Sequence, residues 1–141
     1  MYLDSAYIAK FYLNEADSPQ VRRVIATAKI LHSSAWAIPE VTCAFHRKMR
    51  EGRLDTVQYR ELLQAFRDHT DSGVWTFAPV TDRLLRKTLA FMAALPASTF
   101  MRSGDATHLA TASDLGEHEI WSNDRHLLAA APHFGLIGRS A

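Results

Sequence analysis

A single cysteine, Cys43, stands in 141 residues. One thiol excludes an internal disulfide and any Cys-x-x-Cys zinc pattern, and it suits a reducing compartment, so Cys43 is expected to serve as packing. No apolar run is long enough to cross a bilayer. The opening MYLDSAYIAKFYL has no basic n-region and carries an acid at position 4, so neither a leader nor a membrane anchor is expected and the cytoplasm is the expected location. Charge of one sign is missing too. Sixteen Lys and Arg against 15 Asp and Glu leave a formal charge of +1, so any contact with nucleic acid has to come from local patches. The six glycines are scattered and form neither a phosphate loop nor a dinucleotide fingerprint. There is no Gly-x-Ser-x-Gly elbow, and no His-Glu-x-x-His spacing among the histidines.

What is present is an ordinary soluble composition, 48% hydrophobic and 22% charged, in a chain long enough to bury one core. A single domain spanning residues 1–141 is expected, with no repeats or linker. Short apolar segments alternate with amphipathic helical ones, the rhythm of an α/β fold with parallel strands. Strands are expected at 1–3, 30–35, 74–80 and 118–122, with an edge strand near Leu136-Ile137. Asp4 is expected to cap the first helix and Ser18, followed by Pro19, the second. Pro39 starts or nearly starts a third helix, with Ile38, Val41, Phe45 and Met49 on one face, that Gly52 stops, and Asp55, Thr81 and Asp124 cap three others. The helix from Asp105 to Gly116 is rich in Ala and Thr. Leu84, Leu85, Leu89, Phe91, Met92 and Leu95 are expected to be the buried positions of the helix after Thr81.

Four acids occupy one type of position. Asp4 and Asp124 each end a strand and begin a helix, Asp105 begins a helix, and Glu40 falls in the first turns of another. In a parallel sheet the carboxyl ends of the strands share one edge, so side chains at such turns converge there. A lone Asp at a helix start is most simply a cap. Several carboxylates within a few Å repel one another unless protonated or met by cations. Oxygen donors without His or Cys select Mg²⁺ or Mn²⁺ over zinc, and such ions suit phosphodiester hydrolysis.

YLDSAYIAKFYLNE, PEVTCAFHRKMREGRL, RSGDATHLATA and WSNDRHLLAAAPHFGL together resemble the PIN domain, specifically the ribonuclease toxins of VapBC toxin–antitoxin systems. The likeness runs nearly end to end, and the family's acids fall on Asp4, Glu40, Asp105 and Asp124. The resemblance implies a three-layer α/β/α sandwich with a parallel sheet of four to five strands in the order 3-2-1-4-5. It also implies a Mg²⁺- or Mn²⁺-dependent endoribonuclease toxin that cleaves RNA by metal-activated water, with those four acids as catalytic and metal-binding residues. A cognate antitoxin protein and a homodimer are the implied partners. Ser5 and Ser122 match the small hydroxyl positions beside the first and last acids, where they are expected to orient a carboxylate or a metal-bound water, or else to serve as caps. The sequence departs from the family pattern at Gly104 and Thr107.

Arg102, Arg125 and Lys10 are candidates to contact RNA phosphates, against the alternative of solvated surface charge. Arg47 shares a helical face with Glu40 and is a further candidate, whereas Lys48, Arg50 and Arg53 read as a basic helix end. His108 lies one turn after Asp105 and is expected in the core, as are Trp36, Trp75 and Trp121. Two other readings remain. One is a PIN-like module that binds RNA or protein without cutting it. The other, a haloacid-dehalogenase-type phosphatase, needs an aspartate two residues beyond the first, where Ala6 stands.

Overall fold

The computed structural model describes residues 1–141. Its centre is β1 (Tyr2–Leu3), two residues buried on both faces of the sheet. Side chains alternate across a strand, so Tyr2 enters one core and Leu3 the other. β2 (His32–Ser34), β3 (Thr76–Ala78), β4 (Glu119–Trp121) and β5 (Ile137–Arg139) complete an all-parallel sheet in the order β3-β2-β1-β4-β5. Tyr2 aligns with His32 on one side and Ile120 on the other.

The first core holds α1 (Ser5–Tyr12), α2 (Ser18–Ile25), α3 (Ala37–Arg50) and α4 (Thr56–Asp71) against one face, through Tyr7, Ile8, Val21, Val41, Phe45 and Phe66. The second holds α5 (Asp82–Ala94), α6 (Ser103–Asp114), α7 (Arg125–Ala130) and the 3₁₀ turn Ala131–Phe134 against the other. Helices on both faces of a parallel sheet make the three-layer sandwich. The chain leaves β1 toward β2 and β3, then returns to β4 on the opposite side. The topological switch therefore falls between β1 and β4, where Asp4 and Asp124 follow the strand ends.

Several local expectations are corrected. Asp17, not Ser18, occupies the N-cap of α2, and its side chain makes no cap bond because Lys10 and Asn123 take it. α3 agrees with expectation, beginning at Ala37 with Pro39 in its first turn and followed by Gly52 at a φ of 70°. α6 starts at Ser103, which puts Asp105 inside the first turn, with Arg102 at the N-cap. On α5 only Leu84 is fully buried, while Leu85, Leu89 and Met92 face outward. Trp36 and Cys43 are exposed, contrary to the packing roles expected of them.

Candidate active site

The four acids line one cleft of about 690 Å³ at the carboxyl end of the sheet. Asp4 is the deepest, only 4% exposed, at the point where β1 turns into α1. Its Oδ1 accepts the Tyr7 backbone N–H at 2.8 Å, which caps α1, and its Oδ2 accepts the Ser122 hydroxyl. Burial pushes the Asp4 carboxyl above its ordinary range, against the Ser122 and Tyr7 hydrogen bonds, and the charge of Asp105 adds to the rise. An ionised Asp4 is therefore costly in the protein alone and would be relieved by a cation.

Ser122 joins two acids, donating to Asp4 and accepting the Asp124 N–H at 2.9 Å. It thus orients Asp4 and braces the turn that leads into Asp124, while the cap of α7 is Asp124 itself. Asp124 caps α7 through the N–H groups of His126 at 2.8 Å and Leu127 at 3.4 Å. Burial raises its carboxyl, but those two N–H bonds and Arg102 outweigh burial and hold it below the usual range.

Asp105 caps nothing. Its carboxylate instead accepts Arg102 Nε at 2.7 Å, and the same guanidinium reaches Asp124 through Nη2. Arg102 therefore bridges two of the four acids. These two carboxylates raise its own pKa further.

Glu40 reaches the cleft from α3. Its Oε2 accepts the Ser5 hydroxyl at 2.5 Å and His108 Nε2 at 3.0 Å. Burial opposes ionisation, but the hydrogen bonds from His108 and Ser5 win and hold the carboxyl below its usual range. An ionised carboxylate only accepts, so Nε2 of His108 carries the proton. Nδ1 pairs with the Tyr2 hydroxyl at 3.0 Å, and burial of that phenol keeps it protonated. His108 is in the core as expected, 2% exposed, yet it also orients an acid. Nothing local in the sequence signals this contact, because its two ends lie 68 residues apart.

Gly104 explains one departure from the family pattern. A Cβ there would collide with Glu40 Oε1 and lie 3.5 Å from Trp36 Nε1, so the missing side chain lets α6 approach α3. Of the other candidates, Ser5 and Arg102 line the cleft. Lys10 lines it as well but is paired with Asp17. Arg125 does not line the cleft, and its Nε lies 3.4 Å from His126 Nε2.

The donor set is all oxygen and hard, which fits Mg²⁺ or Mn²⁺. As the side chains stand, no three of them are gathered closely enough to hold an ion, and the positive charge between Asp105 and Asp124 is the Arg102 guanidinium.

No family model and no curated protein sequence matches the chain. Among solved structures, it is similar to VapC20 of Mycobacterium tuberculosis, a toxin that cleaves the sarcin-ricin loop. The TM-score is 0.68 at 19% identity, over 92% of this chain and 93% of that one. With the sheet order 3-2-1-4-5 between two helical layers, this likeness gives the chain the PIN-type fold of the VapC toxins.

Proposed function

We propose that the chain is a divalent-metal-dependent endoribonuclease, the toxin of a toxin–antitoxin pair, with Asp4, Glu40, Asp105 and Asp124 as its metal-binding acids. One observation carries the reading. Four acids from distant parts of the sequence line a single cleft at the topological switch point, in a fold shared with an RNA-cleaving toxin. A bound divalent ion would activate water toward a phosphodiester and stabilise the charge that develops on the phosphate.

The chain's own groups supply the rest. Ser122 and the N–H of Tyr7 fix the rotamer of Asp4, and Ser5 and His108 fix that of Glu40. Arg47 on the cleft wall offers positive charge to the strand's phosphates, whereas Lys10 and Lys48 beside it are held by Asp17 and Glu15. A homodimer and a cognate antitoxin belong to the same proposal, and the sarcin-ricin loop is the first RNA to try.

Cleavage of RNA with added Mn²⁺ is the test, using wild type, Asp4→Asn and Glu40→Gln. Both variants keep side-chain size, and Asn retains capping ability, so the expected result is folded protein with cleavage reduced at least about 100-fold. Cleavage by Asp4→Asn at the wild-type rate sinks the proposal.

The Arg102 bridge favours a second reading, a binding module whose acids are neutralised internally. That reading requires RNA binding without cleavage and no response to Mn²⁺.

A further inference from the structure

We propose that a groove beside the acid cleft is a subsite for single-stranded RNA, in which a base lies against the rings of Tyr59 and His46 and the adjoining phosphates meet Arg47 and Arg50. The assignment deepens the endoribonuclease reading and rests on it for the position of the scissile bond.

The groove encloses about 410 Å³ between α3 and α4 and is lined by Thr42, Cys43, His46, Arg47, Arg50 and Tyr59. Cys43 and Arg47 also line the acid cleft, so the two depressions share a wall. Glu40, Cys43, Arg47 and Arg50 follow one another at spacings of three, four and three, a single stripe along α3. From Glu40 to Arg50 that stripe runs roughly 15 Å, leading away from the acids.

The ion pairs separate the cations of this helix end into two kinds. Lys48 is paired with Glu15 at 2.7 Å, and Arg53 lies 3.9 Å from Glu51. Arg47 and Arg50 have no acidic partner, and no carboxylate lines the groove they face. Two unpaired guanidiniums in a groove without acids call for an external anion, and a phosphodiester suits their forked donors. The sequence alone assigned Arg50 to a solvated helix end. Its place in the groove gives it a partner class.

The aromatic pair sets the form of the nucleic acid. His46 and Tyr59 stand edge to face, with ring centroids 5.9 Å apart at 68°, and both contribute to the groove wall. Stacking on such rings needs a base that is splayed out, which a single strand offers and an A-form duplex does not.

The experiment is fluorescence anisotropy of a labelled oligouridylate about 12 nucleotides long with the full chain, in EDTA so that the RNA stays intact. Wild type is compared with Arg50→Gln, Tyr59→Leu and Tyr59→Phe, and each variant is first checked for folding by thermal melt. Arg50→Gln is expected to weaken binding and to flatten the log-affinity against log-salt slope by about 0.7, the loss of one single-strand phosphate contact. Tyr59→Leu is expected to weaken binding about tenfold at unchanged salt slope. Tyr59→Phe restores wild-type affinity, and a hairpin duplex binds without regard to residue 59. Arg50→Gln and Tyr59→Leu both binding like wild type overturns the subsite.

A parallel cleavage assay of wild type with Mn²⁺ keeps the two readings apart. Cleavage with unaltered binding by the variants defeats the groove and spares the nuclease. Weakened binding by the variants without cleavage by wild type upholds the groove and defeats the nuclease.

Discussion

Arg102 and Asp4 set the energetics of the cleft from opposite ends. Asp4 is buried with its charge disfavoured, and Arg102 is exposed with its guanidinium inserted between Asp105 and Asp124. Removing the guanidinium should therefore act in two directions. Arg102→Gln should lower the melting temperature of metal-free protein, because two acids lose their counter-charge, and should tighten Mn²⁺ binding several-fold, because the ion no longer competes with a tethered cation. Thermal melts with and without Mn²⁺ read both effects, and an unchanged Mn²⁺ affinity would refute the competition. The convergence of Asp4, Glu40 and Asp124 was legible in the sequence because strand-to-helix turns in a parallel sheet lead to one edge, whereas Asp105 follows α5 and was placed by the family resemblance. The Arg102 bridge and the His108 contact were not, since each depends on how α6 sits against distant segments. The exposure of Cys43 was equally hidden, because a lone thiol has no periodic signature.

At the scale of elements, α6 is the piece on which the cleft depends. Its first turn packs so near α3 that Gly104 leaves no room for a methyl group, and the obstacle is the flexible end of Glu40. Gly104→Ala should therefore displace the Glu40 carboxylate from Ser5 and His108 rather than unfold the helix. The expected outcome is a loss of RNA cleavage of at least about tenfold with little change in melting temperature. Equal activity would show that Glu40 tolerates the shift.

The other end of α6 carries a different charge device. Asp114 sits where the helix dipole disfavours an anion, and Arg83 and Lys87 of α5 hold it, pushing its carboxyl down to about 2. A depressed carboxylate contributes stability that is full above its unfolded value, near 3.9, and is lost as pH falls toward 2. Asp114→Asn should be less stable than wild type at neutral pH, and the difference should shrink as the pH falls through that window. Melts across the acid range check it, and a pH-independent difference would contradict it. Most helix starts here were readable from Asp4, Asp55, Thr81 and Asp124, whose side chains do accept first-turn N–H groups. The buried face of α5 was not readable, because its apolar positions form a stripe wider than the surface the helix covers, and only packing decides which of them are buried.

For the whole molecule, the parallel α/β class followed from segment order, sheet order and layering followed from the family resemblance alone, and strand limits shrank to the two or three residues that pair. On the proposed homodimer reading, the outward leucines of α5 would supply the contact, with Leu89 72% exposed and Leu85 50% exposed. Leu89→Glu should turn a dimer into a monomer in light scattering, and a monomeric wild type would remove that part of the proposal. No helix is long and apolar enough to cross a membrane.

Whether the four converging carboxylates take a divalent ion decides what the cleft does. Calorimetric titration of Mn²⁺ into wild type and Asp4→Asn tests this most directly. Saturable binding by wild type at submillimolar Mn²⁺, lost or greatly weakened in Asp4→Asn, is the predicted result. A wild-type cleft that gives no heat with millimolar Mn²⁺, or binding that survives Asp4→Asn unchanged, would contradict it.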